Sequence, residues 1–245
     1  TERLYRSKAN RFKNNDKVDF NSDLLGKDIY LSIDVKLQEI LYEAIKKGKI
    51  KSSAQSANGI IVDVFSGDIL AMSGYPSFDP NELNIEDIEN IKNNTISQQY
   101  EPGSTLKVIP ILEALSSDSV NKDSTINCEY GEYFLPNTRI KIHDHEPHGE
   151  LSLTEILAYS SNIGIAKLAS IVGSDKIYSS MKKFGLGSRT HVKLPGEEPG
   201  NLRSINDWSG ISSAMVSMGQ EISVTNLQLA MIYTSIANNG FLLKP

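Results

Sequence analysis

The spacing of apolar residues changes repeatedly along the chain, and each change predicts an element. Tyr30-Leu31-Ser32-Ile33 reads as a strand. Asp34 is suited to cap a helix, and Val35, Leu37, Ile40, Leu41, Ala44 and Ile45 follow it at helical spacing until Gly48. Ile60-Ile61-Val62-Asp63-Val64-Phe65 and Asp68-Ile69-Leu70-Ala71-Met72 flank the turn dipeptide Ser66-Gly67, which predicts a β-hairpin of two central strands closed by Tyr75-Pro76. Asp79 to Ser97 is polar and Asn-rich, a loop or a short surface helix. Glu101-Pro102-Gly103 breaks the chain. A helix is then predicted from Ser104 through Leu106, Val108, Ile109, Leu112 and Leu115, with Pro110 as a kink point.

The second half is mainly helical. Cys128 to Gly149 has aromatics, Pro136 and little helical period, so it reads as an irregular excursion with short strands. Ser152 to Val172 returns to helix with a break at Ser160-Ser161-Asn162-Ile163-Gly164. Asp175 to Phe184 forms another helix, stopped by Gly185 and Gly187. Thr225 caps a last one through Leu227, Ala230, Met231, Tyr233, Ile236 and Ala237, stopped at Asn239-Gly240. The fold class is therefore α+β. One hairpin is too little sheet for so many helices, so further strands are expected beyond Pro245.

Composition narrows the class. Of 245 residues, 39% are hydrophobic and 22% charged, a globular balance. A net charge of -5 gives no reason to expect a nucleic-acid partner. No run of about 18 apolar residues is present, nor a signal peptide, and the first residue is Thr1, so the native start is expected to lie upstream. Residues 1–27 are polar, with Arg3, Arg6, Lys8, Arg11, Lys13 and Lys17, and read as a linker or the remnant of a preceding pedestal region; residues 28–245 form the main domain. The single cysteine, Cys128, cannot form an internal disulfide and decides no compartment.

The candidate chemistry begins at Ser104-Thr105-Leu106-Lys107. A serine hydroxyl needs a base within hydrogen-bond reach, and helical positions three apart share a face. Pro102-Gly103 places Ser104 at a helix N-terminus, where free N–H groups favour a developing oxyanion and a neutral amine. The spacing alone is unspecific, for Ser179 with Lys182 and Ser180 with Lys183 share it inside a running helix. The second element is Ser160-Ser161-Asn162 at a helix break, a hydroxyl to relay a proton and a carboxamide to hold a backbone and the lysine. Ser56-Ala57-Asn58, Ser119-Val120-Asn121 and Ser204-Ile205-Asn206 match it too, and local capping is the plain alternative.

Together these segments resemble the penicillin-binding proteins and serine β-lactamases, with their Ser-x-x-Lys, Ser-x-Asn and Lys-Thr-Gly set. The resemblance is to class B penicillin-binding proteins of the cell-division type, and it covers nearly all of the chain after Leu31. It is carried by Leu31-Ser32-Ile33-Asp34 with Leu37-Gln38, by Ser66-Gly67-Asp68-Ile69-Leu70-Ala71-Met72, and by Tyr75-Pro76-Ser77-Phe78-Asp79-Pro80-Asn81. Glu101 to Lys107, Ser160-Ser161-Asn162, Phe184-Gly185-Leu186-Gly187, Leu194-Pro195-Gly196-Glu197 and Ser217-Met218-Gly219-Gln220 follow in order, before the helix from Thr225 to Gly240. Two departures stand out. The Lys-Thr-Gly strand, which lines one wall of the family's cleft and supplies its second oxyanion N–H, is not in this sequence, so impaired turnover is expected of the chain alone. Glu221 follows Gln220 where the family usually carries Gly.

The resemblance implies a penicillin-binding-protein/serine β-lactamase-like fold: a central antiparallel sheet, incomplete here, with an all-helical subdomain. It implies a peptidoglycan D,D-transpeptidase of septal cell-wall synthesis. Ser104 would be acylated by a stem peptide ending in D-Ala-D-Ala, Lys107 would serve as base, Ser160 as proton relay and Asn162 as holder of substrate and lysine. β-Lactams would be trapped on Ser104, no metal or organic cofactor would be needed, and membrane division proteins would be partners. The location implied is the periplasmic face of the inner membrane, anchored by an upstream segment. Three other readings are weighed against this one. Glu197 could aim a water at the acyl-serine, giving a β-lactamase. The same fold could act as a β-lactam sensor, or as a non-catalytic scaffold of the division machinery. His143, Asp144, His145 and His148 have spacings a zinc ion could use, against the plainer reading of a polar loop.

Overall fold

The computed structural model describes residues 28–82 and 90–245. The polar N-terminal linker predicted for residues 1–27 and part of the Asp79–Ser97 segment lie outside them. No described helix is long and apolar enough to cross a membrane.

The first layer is built on a hairpin. Strand β1 (Ala57–Val62) pairs antiparallel with β2 (Ile69–Tyr75), Ile60 opposite Met72 and Ile61 opposite Ala71, with a bulge before Val62. The connection is longer than the predicted two-residue turn. Asp63 nucleates it by accepting the N–H groups of Phe65 and Ser66 on its carboxylate and that of Gly67 on its carbonyl. Helix α1 (Val35–Ser52) lies along the hairpin, and the side chain of Gln38 exchanges two hydrogen bonds with the backbone of Met72, each 2.8 Å. Asp34 caps α1 as predicted, accepting from the N–H groups of Lys36 and Leu37. The helix does not stop at Gly48 but runs one turn further, to Ser53 at φ 53°. A glycine inside a helix costs only about 1 kcal/mol, and Ser52 Oγ donating to Gly48 O helps carry the turn past it. Tyr30 to Ile33 forms no strand: Ser32 Oγ donates to Ile69 O and Asp34 N–H to Leu70 O, which makes no ladder.

The second layer is helical. Helix α2 (Asn94–Ser97) is one buried turn, not a surface helix. Helices α3 (Val108–Ser116), α4 (Leu153–Ala158), α5 (Asn162–Val172), α6 (Ser174–Lys183), α7 (Ser212–Ser217) and α8 (Asn226–Ala237) follow. Leu106, Ile109, Ile163, Ile165, Leu168, Ile177 and Met181 are completely buried where α3, α5 and α6 meet, which makes α5 the centre of the core. A Cβ on Gly164 would lie 2.7 Å from Ile156, so this glycine lets α5 turn back tightly on α4. Two small antiparallel pairs edge this layer: β3 (Thr125–Asn127) with β6 (Glu150–Ser152), and β4 (Glu132–Phe134) with β5 (Lys141–His143). Helix α8 joins the layers. Its Leu227 and Met231 pack with Ile69 and Ile96 on the hairpin side, and its Ile232 enters the main core.

Candidate active site

The predicted helix at Ser104 begins as a 3₁₀ turn, Gly103–Leu106, which passes into α3 after Lys107. Lys107 N–H bonds Ser104 O at 3.3 Å, an i to i+3 bond. Positions three apart eclipse one another in such a turn, so Ser104 and Lys107 share a face more closely than an α-helix would allow. The turn is short, so the dipole at Ser104 is weaker than that of the long helix predicted. Pro110 does not kink α3, because it stands in the first turn, where its missing N–H has no partner to lose.

Ser104 is exposed at the mouth of this turn, and Lys107 is wholly buried beneath it. The amine of Lys107 meets three oxygens: it donates to Ser160 O at 2.5 Å, to Asn162 Oδ1 at 2.8 Å and to Ser160 Oγ at 3.0 Å. Ser160 stands at φ 56° in the break between α4 and α5, a conformation that turns its carbonyl toward the lysine and ends one helix just before the next begins. Burial pushes the pKa of Lys107 from 10.5 down to about 8, and the negative charge of Asp144 opposes part of that shift. A neutral amine has two protons and one lone pair. Ser160 O and Asn162 Oδ1 can only accept, so they take the protons. Of the three partners, the Ser160 hydroxyl alone can turn to donate.

Ser104 opens onto a solvent-accessible groove of about 330 Å³. Lys141 and His143 of β5, Asn162, Met218 and Gln220 line it with Ser104. The segment around Gly219 and Glu221 is sewn to the Gly103–Leu106 turn. Gly103 N–H donates to Gly219 O at 3.0 Å, and Glu221 N–H to Glu101 Oε1 at 3.0 Å. Glu221 adopts φ 57°, a region where glycine is at ease, and its carboxylate is held by Arg203 and by Ser212 Oγ at 2.7 Å.

Of the four residues singled out from the sequence, Ser104 and Asn162 line the groove, and Lys107 lies buried beside it, bonded to Asn162 and Ser160. The other Ser-x-x-Lys pairs do not line it: Ser179, Ser180, Lys182 and Lys183 belong to the running helix α6, with both lysines exposed. Glu197 lies elsewhere. Its carboxylate accepts from Thr190 N at 2.5 Å, Thr190 Oγ1 at 2.7 Å and His191 N at 3.2 Å, and it lines a different cavity. In the histidine-containing loop, His143 faces Glu132, and His148 stacks on Tyr159 with ring centres 4.6 Å apart. Asp144, which the sequence offers only as a member of a cluster a zinc ion could use, instead serves the Ser-x-Asn segment. It accepts from Asn162 N at 2.6 Å, Ile163 N at 3.0 Å and Ser161 Oγ at 2.6 Å. No spacing in the sequence links it to positions 161–163.

Comparison with known proteins defines the class. Residues 59–245 match the model of the penicillin binding protein transpeptidase domain, and the chain belongs to that family. It is 36% identical to the peptidoglycan D,D-transpeptidase FtsI of Buchnera aphidicola over 94% of its length, and 36% identical to FtsI of Escherichia coli K12 over 87%. It spans 40% and 36% of those two proteins. Among solved structures it superposes on penicillin binding protein 3 of Mycobacterium tuberculosis in complex with ampicillin, with a TM-score of 0.82 and 30% identity, covering 88% of this chain and 48% of that one. The fold is that of a class B penicillin-binding-protein transpeptidase domain.

Proposed function

We propose that the protein is a peptidoglycan D,D-transpeptidase, with Ser104 as nucleophile, Lys107 as base, Ser160 as proton relay and Asn162 as holder of substrate and lysine. One observation carries the assignment: a wholly buried amine with a pKa of about 8 is bound to Ser160 and Asn162, one 3₁₀ turn from an exposed serine on the same groove. Ser104 Oγ gives its proton to Lys107 and attacks the carbonyl of the penultimate D-Ala. The tetrahedral oxyanion collapses, the amide C–N bond breaks, and the departing D-Ala takes a proton passed from Lys107 through Ser160. The amine of a neighbouring stem then attacks the acyl-serine, the proton runs back by the same route, and the cross-link is released with Ser104 restored. A β-lactam enters the same first half and leaves a long-lived acyl-serine.

The setting that fits this reading is the periplasmic face of the bacterial inner membrane, in septal wall synthesis with membrane division proteins. The β-lactamase reading has lost its support, because Glu197 is occupied by residues 190–191 and does not line the groove. Labelling the intact protein with a fluorescent penicillin and mapping the modified peptide tests the assignment. Label is expected on Ser104 and is lost in Ser104→Ala. Lys107→Ala is expected to slow acylation by a factor of about 10²–10⁴, the range of general-base catalysis. Label on Ser179, or none in the intact protein, overturns it.

A further inference from the structure

The side chain of Asp144, just after β5, is committed to the Ser-x-Asn segment. One carboxylate oxygen takes the N–H groups of Asn162 and Ile163, the first two residues of α5, and the other takes the Ser161 hydroxyl. The adjacent carbonyl, His143 O, accepts from Asn162 Nδ2 at 2.9 Å. A carboxamide whose NH₂ is held by a carbonyl has its oxygen direction fixed, and Asn162 Oδ1 therefore faces Lys107. Residues 143 and 144 thus grip Asn162 by side chain and backbone together.

A neutral amide in place of the carboxylate would accept the same two N–H groups on its oxygen, while its NH₂ donates to Ser161 Oγ and the Ser161 hydroxyl turns its own proton to Cys128 Sγ, 3.4 Å away. The negative charge is therefore not required for holding the helix start. What it adds is an attraction for the proton on the buried amine of Lys107, against the burial that drives that proton off. Other titratable groups stand on the elements around the site. They are Lys141 and His143 on β5, Glu132 on β4, Cys128 beneath Ser161, Lys167 on α5 and Tyr233 on α8. Lys141 is paired with Glu132 and Lys167 with Glu129, both at 2.5 Å.

We propose that Asp144 is a positioning residue of this site: it fixes Asn162 against Lys107 and, through its charge, sets how much of the lysine stands as free amine. The proposal rests on the reading of Lys107 as the base for Ser104. The test is the pH dependence of the second-order rate constant for acylation of the intact protein by a fluorescent penicillin, which reports the free enzyme. Asp144→Asn keeps the two backbone contacts at the start of α5 and removes the charge. It is expected to leave the high-pH plateau within a few-fold of wild type and to move the rising limb to lower pH, so that acylation on the acid side quickens relative to the plateau. Asp144→Ala removes contacts and charge and is expected to lower the plateau itself at least tenfold. An unmoved limb in Asp144→Asn, with label still confined to Ser104, overturns the role of Asp144 and leaves the function standing. Label that survives Ser104→Ala overturns the function beneath it.

Discussion

The buried amine of Lys107 meets three oxygens and lies one turn from an exposed hydroxyl, and under the proposed mechanism its proton decides when that hydroxyl can react. With a pKa lowered by burial to about 8, part of the lysine stands as free amine near neutral pH. Acylation of Ser104 is expected to rise with pH through about 8 and then level off, because the reactive form is the deprotonated one. Stopped-flow or gel-based acylation rates from pH 6 to 9.5 (roughly the span around that pKa) check this, and a flat profile would remove Lys107 as base. The Ser104–Lys107 relation was legible in the sequence because it is local: a spacing of three and a chain break ahead of it. The tie of Asp144 to the Ser-x-Asn segment was not legible, because its partners are 17–19 positions away and meet it only once β5 and α5 are packed.

At the scale of elements, the groove depends on a backbone seam between the 3₁₀ turn and the Met218–Glu221 loop. A Cβ on Gly219 would stand 2.1 Å from Gly103 O and 2.5 Å from Gly103 N, on a residue at φ 76°. Gly219→Ala is expected to cost on the order of 3 kcal/mol through this overlap and the positive φ. In a chain of this size that lowers the melting temperature by about 6–12 °C. Calorimetry measures it, and acylation is expected to slow along with it as the wall moves off Ser104. An unchanged melting temperature would mean that the two segments are not so closely joined. The elements the sequence revealed are those with strong local signals: the Asp34 cap, the Thr225 box with Gln228, and the break at Ser160. Helix α7 was missed because six residues with three serines carry no readable period. Likewise the run past Gly48 depends on packing against the hairpin and a left-handed stop at Ser53, neither of which has a sequence signature.

At the scale of the molecule, two layers meet at the Gly103–Leu106 turn. Tyr233 of α8 donates its hydroxyl to Thr105 O at 2.7 Å, tying the hairpin layer to the residue next to Ser104. Glu197 belongs to this framework, not to the groove. Glu197→Ala is expected to lower stability by about 2–4 kcal/mol, because a buried carboxylate that accepts three hydrogen bonds is lost. The lifetime of the penicilloyl-serine is expected to stay as in wild type; faster turnover in the wild type that slows in this variant would restore the hydrolase reading. The general fold was legible because many segments fell in family order, while the short sheets, each two-stranded, are settled by long-range pairing. The burial of Lys107 also bears on how the native state withstands heat. Its proton is bound less tightly in the native state than in the unfolded chain, whose lysine titrates near 10.5. Below about pH 8 both states are charged, and enclosing that charge weakens the native state by on the order of 3 kcal/mol; the penalty fades as pH climbs toward 10.5. Reactivity and robustness thus compete for a single nitrogen, and a screen for thermotolerant variants run without an acylation assay would be drawn toward replacing it.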